Sequence, residues 1–509
     1  MSAIAQRRFA TALYAMTAGA MLLAGSIVVL SQTHVPKIWD DAALADWATP
    51  IAALGVRPGH FTSAEYYKVP ADNLRTYPVY LPGREPAGYW QWLQQQKPAP
   101  MVDASSIRTK EDWVAAGERA FRDLDKPPTR TSDPTMIALA RDPASFEGVQ
   151  PQPDGSVLDV RWVVTDRGVQ LTTTECGSCH MQVLDNGTVL LAGAAGRFAS
   201  DAHLTPPGIP ITRLVAQALL EQFEGDPFRV AAWRAVTTPW APDDRVEHMK
   251  DEAVKLGPVL AGLGSGVVFR INGSPYLGAK IPDLHILHYS RYIEATGTHR
   301  LRGPEDVARY AALVNGADSM DFGSYHFLTP AQRKVRYRYA DEVLYAIGMY
   351  VMSLEPPKNP NPPPKDLVKR GERVFRREKC GACHPAPNYT TGELTPALGF
   401  DVPFDHPNFS DVRDRSVGTD PGLALRTRKG TGFYKIPSLR GLWYRPRLLH
   451  DASIVSLEEL FEAARLDPSY ARKGWRPLDA TKGTVPGLEF LTRLSPDDKR
   501  ALIAFLRSL

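Results

Sequence analysis

Apolar side chains recur at helical spacing between Ala331 and Leu354, at Val335, Tyr339, Val343, Leu344, Ile347, Val351 and Leu354. That spacing predicts one long amphipathic helix. Shorter helices are predicted at Lys110 to Asp123, Ile211 to Phe223 and Val307 to Val314. A helix carrying Leu367, Gly371, Val374 and Phe375 runs straight into Cys380. The last segment has Ser495 as N-cap, Pro496 at the first helical position and Asp497 and Asp498 in the first turn. Leu502, Ile503, Phe505, Leu506 and Leu509 give that helix one apolar face. Residues Val157 to Leu171 alternate instead, which predicts a strand pair turning at Asp166-Arg167-Gly168.

One stretch is apolar all round. Phe9 to Leu30 holds 22 residues without a charge, directly after Arg7 and Arg8. About 20 apolar residues span a bilayer. A removed signal has a shorter apolar core that ends in a small-residue cleavage site. Here the small residues Ala18 to Gly25 lie inside the stretch, so an uncleaved anchor is favoured. The two arginines keep the N-terminus in the cytoplasm and send everything after Ser31 outside. Their pairing is also a poor match to a twin-arginine export signal. The expected location is the inner membrane, by a single N-terminal anchor, with the bulk in the periplasm.

The Pro-rich run from Glu355 to Pro364 admits neither helix nor central strand. The chain therefore divides into an anchor at 1–31, an irregular region at 32–155, a first domain at 156–355, a linker at 356–364 and a C-terminal domain at 365–509. Residues 32–155 hold many prolines and tryptophans and no assignable chemistry. No internal repeat is evident beyond the cysteine motifs described next.

The chain has 509 residues, 44 of them Pro, and a net charge of +4, too mild to argue for nucleic acid. Its four cysteines change the picture. An exported protein would ordinarily pair them as disulfides. Instead they form Cys176-Gly-Ser-Cys179-His180 and Cys380-Gly-Ala-Cys383-His384. Only 12 residues are His, so its recurrence directly after both pairs is not coincidence. Cys-x-x-Cys-His attaches c-type haem: the thiols add to the two vinyl groups and the adjoining imidazole ligates the iron. A zinc site would need the pairs to meet across about 200 residues and leaves both histidines unused. Thioredoxin-like dithiols want a βαβ context, and a disulfide inside Cys-x-x-Cys is strained. Two covalently bound haem c groups are therefore expected, with His180 and His384 as metal ligands. The fold class that follows is mainly α: two cytochrome c-like haem domains, long irregular Pro-rich segments and an N-terminal transmembrane helix.

Tyr434-Lys-Ile-Pro-Ser-Leu-Arg-Gly-Leu-Trp443, then Leu449-His-Asp451 and Ser456-Leu-Glu-Glu-Leu-Phe461, resemble the C-terminal half of the dihaem bacterial cytochrome c peroxidase superfamily. With the second motif and final helix the resemblance covers residues 365–509; the first half joins it only through its motif. The segment from Leu344 to Pro364 and the irregular N-terminal region look nearer the dihaem rubber-oxygenase branch. The resemblance implies that peroxide or dioxygen reacts at the His180 haem and that electrons pass through the His384 haem. It also admits a homodimer. Peroxidases of this kind ligate the C-terminal haem with a downstream Met, but the last Met here is Met352. Where some relatives carry a His before the final helix, this chain has Leu488. His450 is then the leading sixth ligand, with His406 and Tyr470 as further candidates. His450 can equally serve as a hydrogen-bonding neighbour of the haem. A His or Tyr ligand lowers the reduction potential relative to Met.

Around the first haem, His203, Met181, His285, His288 and His326 are candidate distal residues; each is also an ordinary core or surface residue. The run Arg426, Arg428, Lys429, Lys435, Arg440, Arg445 and Arg447 contains no acid between its ends. It reads either as a solvated loop or as partners of haem propionates, with Arg440 and Arg445 as the chosen pair. Trp443 is either a core residue or an electron relay. The expected function is a membrane-anchored dihaem oxidoreductase with a redox partner protein and a small-molecule oxidant. The alternative is a plain dihaem electron carrier; a haem-based sensor lacks a signalling domain.

Overall fold

A computed structural model describes residues 35–146, 151–184, 186, 188–194, 238–241, 266–268, 277–405, 409–427, 429–477 and 480–509. The apolar stretch at 9–30, the helix expected at 211–223, His203, His406 and Arg428 lie outside them. Among the described residues no helix is long and apolar enough to cross a membrane.

Five helices carry the architecture. The helix α1 (Lys110–Asp123) has the expected bounds. Thr109 caps it: its hydroxyl accepts from Asp112 N at 3.1 Å, and the Asp112 carboxylate accepts from Thr109 N at 2.9 Å. The next, α2 (Pro304–Ala312), runs on into a wide π turn at Leu313–Ala317. After it comes α3 (Asp341–Ser353), shorter than the helix predicted over 331–354. Arg338 and Tyr339 are extended and pair in parallel with Ala71 and Asp72. The Tyr339 hydroxyl donates to Asp125 O at 2.7 Å. Val335 and Tyr339 are buried, as their apolar character demands, but Tyr339 lies in a short strand pair and Val335 in irregular chain, not in a helix. The last two helices, α4 (Lys365–Arg377) and α5 (Pro496–Ser508), lie where the pattern placed them.

Ahead of the first motif stands a three-stranded antiparallel sheet, in the order β1 (Thr76–Tyr80), β2 (Ser156–Thr165), β3 (Gly168–Thr173). The β2–β3 hairpin turns at Asp166-Arg167, with Gly168 at φ +95°. β3 then delivers the chain to Cys176.

Two main cores result. The larger joins α1, α2 and α3 with Trp39, Trp47, Phe61 and Tyr66 from the N-terminal region, and Cys176 packs against it. The helix α1 and these aromatics lie before residue 156, yet they build the surroundings of the first motif. The second core joins α4 and α5 with Leu448, Ile454, Phe461 and Leu502, and Cys380 packs against that one. The Pro-rich linker has neither helix nor strand, but it is pinned: Trp443 Nε1 donates to Pro357 O and Asn359 Nδ2 to Arg507 O, both at 2.9 Å.

His60 makes the larger core sensitive to pH. Its ring lies between Trp39, Trp47 and His299, and its Nε2 is buried without a hydrogen-bond partner. Burial, helped by the Lys429 charge and opposed by Asp318, brings its pKa down from 6.5 to about 4. A depressed histidine favours the fold fully above its unfolded pKa, and the benefit disappears as pH falls from 6.5 to 4. We expect urea titrations to lose up to about 3 kcal/mol over that window, and His60→Phe to lose markedly less. Equal losses in both proteins would refute the assignment.

Candidate functional site

Each cysteine motif sits under a pair of crossed helices, and the two pairs are built alike. Gly117 of α1 meets α3 so closely that a Cβ would stand 1.9 Å from Ala346 O. Gly371 of α4 meets α5 so closely that a Cβ would stand 1.9 Å from Ala501 O. One turn on, Phe121 packs on Tyr350 and Phe375 on Phe505, with ring centroids 5.6 and 5.2 Å apart. The sequence carries this correspondence in Gly117-Glu-Arg-Ala-Phe-Arg122 and Gly371-Glu-Arg-Val-Phe-Arg376. This is a repeat that inspection of the motifs alone passes over. It places α1 in the unit of the first motif, on the far side of the boundary drawn at 155/156.

Both histidines are oriented the same way. His180 Nδ1 meets Pro282 O at 3.2 Å, and His384 Nδ1 meets Tyr389 O at 2.9 Å. A carbonyl at Nδ1 holds the proton there, fixes the ring plane and makes Nε2 the nitrogen that ligates a metal. These carbonyls belong to the backbone, so no side-chain pattern announces them. Burial outweighs the Tyr389 and Pro437 carbonyls and lowers the His384 pKa to about 4, so the imidazole is neutral at pH 7, as a ligand must be. Phe121 lies 6.3 Å from the His180 ring.

None of the four cysteines is in a disulfide. Burial pushes Cys380 up to about 11 and Cys176 further still. Low-pKa thiolates of a dithiol exchange centre are thus not what these environments make. The two pairs sit on separate cores, and among the described residues no three His, Cys, Asp or Glu side chains could share a metal. The zinc reading fails on that geometry. Two thiols and an imidazole whose Nε2 is left free for a metal are a donor set that would fit a covalently attached, histidine-ligated haem.

A buried polar network lies where the two units meet. Asp283 accepts from His285 Nδ1 at 2.9 Å and from the Tyr444 hydroxyl at 2.6 Å. Gln182, two residues beyond His180, donates to Tyr444 O at 2.6 Å. Burial pushes the Asp283 carboxyl up, but the His285 hydrogen bond and the Arg445 charge more than offset this and keep it ionised. His285 is therefore engaged with Asp283, one helical step from the carbonyl that orients His180.

The expected cationic run is not a solvated loop. Lys429 is buried in an ion pair with Asp318 at 2.8 Å. Burial lowers Lys435 and Lys280 to about 8 each. Arg445 is buried and donates Nη2 to Ser438 O and Arg440 O at 2.8 and 2.9 Å, while its Nε has no partner. The Arg445 charge acts on both His384 and Asp283, and an orphaned guanidinium nitrogen there fits an anionic substituent such as a propionate. Arg440 differs: it contacts the Tyr289 hydroxyl and pairs with Glu355 of the linker at 3.2 Å.

The remaining candidates separate. The His450 ring lies tilted by 35° against Tyr434 at 4.5 Å with its Nδ1 buried and unpartnered, while Leu448 and Leu449 beside it face the core of Cys380. Tyr470 packs on that same core and spends its hydroxyl on Glu459 at 2.6 Å. Met181 is buried directly after the first motif. His288 pairs with Glu355 at 3.3 Å and His326 with Asp321 at 2.7 Å, the latter half-exposed. Trp443 lies edge-on to Tyr444 at 5.2 Å.

No protein-family model matches the chain, and no curated relative matches it. Among solved structures the chain is similar to the hydrazine synthase of Kuenenia stuttgartiensis at 12% identity. It is also similar to a MauG-like protein associated with microbial copper homeostasis, at 14% identity. Each likeness covers 56% of this chain and 88% of the other, with a TM-score of 0.28. At that level neither carries weight for the site, whose reading rests on its own residues.

Proposed function

We propose that the chain is an extracytoplasmic dihaem c-type oxidoreductase, held at the membrane by its N-terminal apolar segment. One observation carries this reading: two Cys-x-x-Cys-His motifs under like helix crossings, each with its histidine Nδ1 held by a main-chain carbonyl. Cys176, Cys179 and His180 would hold one haem, and Cys380, Cys383 and His384 the other. Bound there, haem supplies iron that exchanges single electrons and can take a small oxidant. The protein's own part is to orient each imidazole, to exclude water with Phe121 and Phe375, and to offer Arg445 to a buried carboxylate. The network of Gln182, Tyr444 and Asp283 joins the residues beyond His180 to those around Arg445. Peroxide or dioxygen would react at the His180 site, with the His384 site passing electrons.

The test is the as-isolated protein in its mature form. We expect one high-spin and one low-spin haem signal, with the high-spin signal changing rapidly on adding peroxide. Two low-spin signals indifferent to peroxide would leave only an electron carrier. Colourless denatured protein would end the haem reading altogether.

A further inference from the structure

The two motifs differ in what they show to solvent. At the first, Gly177, Ser178 and Met181 are buried. At the second, Gly381, Ala382 and the whole run Pro385, Ala386, Pro387 and Asn388 are exposed. Among the described residues, then, the second motif presents the larger surface to another protein.

The surface leading to it is strongly charged. Residues 365–379, which comprise α4 and the two residues before Cys380, hold seven Lys or Arg against three acids. That local excess of four equals the net charge of the entire chain, so the rest balances to zero. Arg370 and Arg377 pair with Asp498 of α5, and Arg376 pairs with Glu372. Lys365, Lys369, Arg373 and Lys379 are exposed and join no ion pair among the described residues. Lys365, Lys369 and Arg373 follow one another at four-residue spacing and so form a stripe along one side of the helix, with Lys379 at its end beside Cys380. A one-signed stripe ending at an exposed contact point steers partners of opposite charge and speeds their encounter.

We propose that this stripe and the exposed 381–388 peptide form the docking face for an acidic one-electron carrier protein. The inference rests on the dihaem reading and adds the partner's chemistry to it. One electron leaves the docked carrier, which is oxidised, and reduces the group held by Cys380, Cys383 and His384; no bond is made or broken. Nucleic acid and anionic lipid share the charge preference, but neither has a use for the exposed motif at the end of the stripe.

Two measurements on the haem-loaded protein test it. In the first, dithionite-reduced protein is oxidised by hexacyanoferrate(III) or by tris(phenanthroline)cobalt(III), probes of opposite charge. We expect the anionic probe to be faster at low salt and to lose that lead as salt rises. The variant Lys365→Glu, Lys369→Glu, Arg373→Glu should slow the anionic probe about tenfold or more and speed the cationic one. A control with equal charge change, Lys97→Glu, Lys110→Glu, Arg167→Glu, should stay within about twofold of the parent. In the second, calorimetry measures binding of a redox-inert, zinc-substituted acidic cupredoxin, which the stripe variant should weaken about tenfold or more.

A control as slow as the stripe variant would reduce the effect to bulk charge and overturn the proposal. So would cupredoxin binding that ignores both salt and the variant, or stripe-dependent sedimentation with anionic vesicles in place of cupredoxin binding. Absence of covalent pigment at the second motif sinks the parent reading; intact pigment without acidic binding sinks this one alone.

Discussion

Cys380→Ala combined with Cys383→Ala is expected to yield protein whose intact mass carries one porphyrin instead of two. Cys176→Ala with Cys179→Ala should remove the other, and all four changes together should give a colourless chain. The reason is covalent: on the proposed reading each group would be held by two thioethers, and a lone imidazole does not retain haem through denaturation. The structure adds an asymmetry. The first motif sits against the larger core, with Gly177 and Ser178 buried, whereas Gly381 and Ala382 of the second are exposed. Loss of the first group should therefore leave a larger internal void and lower the thermal midpoint more than loss of the second. Mass spectrometry of the denatured variants and a melting curve for each decide both points. A double variant that kept two porphyrins would overturn the site assignment.

Gly371→Ala is expected to destabilise the C-terminal unit by about 3 kcal/mol or more, and Gly117→Ala the first unit by a similar amount. The sign is informative. In an exposed helix interior, Gly to Ala stabilises by roughly 0.5–1 kcal/mol, because Ala loses less backbone entropy. Here the added methyl would stand 1.9 Å from a carbonyl oxygen of the crossing helix, and backbone cannot move aside as a side chain can. Both helices must separate, and the aromatic pairs Phe375–Phe505 and Phe121–Tyr350 separate with them. Chemical unfolding of the two variants beside the parent gives the answer. An unchanged or raised midpoint would mean that the crossings are looser than described. Because these aromatics cover the motifs, the variants should also carry less covalent pigment.

Much of this was legible without coordinates because it is local. Capping at Ser495, the hairpin at Asp166-Arg167-Gly168 and the bounds of α1 follow from side chains acting within one turn of themselves; α4 stops at Arg377, short of Cys380, where Lys379 takes φ +57°. The helix predicted over 331–354 was too long because Tyr339 satisfies the same burial by pairing beside Asp72, and Val335 satisfies it from irregular chain. Periodicity reports which residues are buried, and two backbone conformations can bury the same ones. The cationic run at 426–447 shows the opposite limit. Composition described it as a loop or a propionate cradle, and only the packing separates buried Lys429 and Arg445 from half-buried Lys435 and from Arg440, which pairs with Glu355.

The sequence by itself determined the two Cys-x-x-Cys-His motifs on which the proposed haem chemistry rests, since such a motif needs only five consecutive residues. It also carried the helix repeat at Gly117 and Gly371, in plain letters. Tertiary structure alone decided which carbonyl orients each imidazole, how Asp283 gathers His285 and Tyr444, and which motif meets solvent. Those outcomes depend on backbone atoms and on contacts between residues up to about 160 positions apart, which no local pattern encodes.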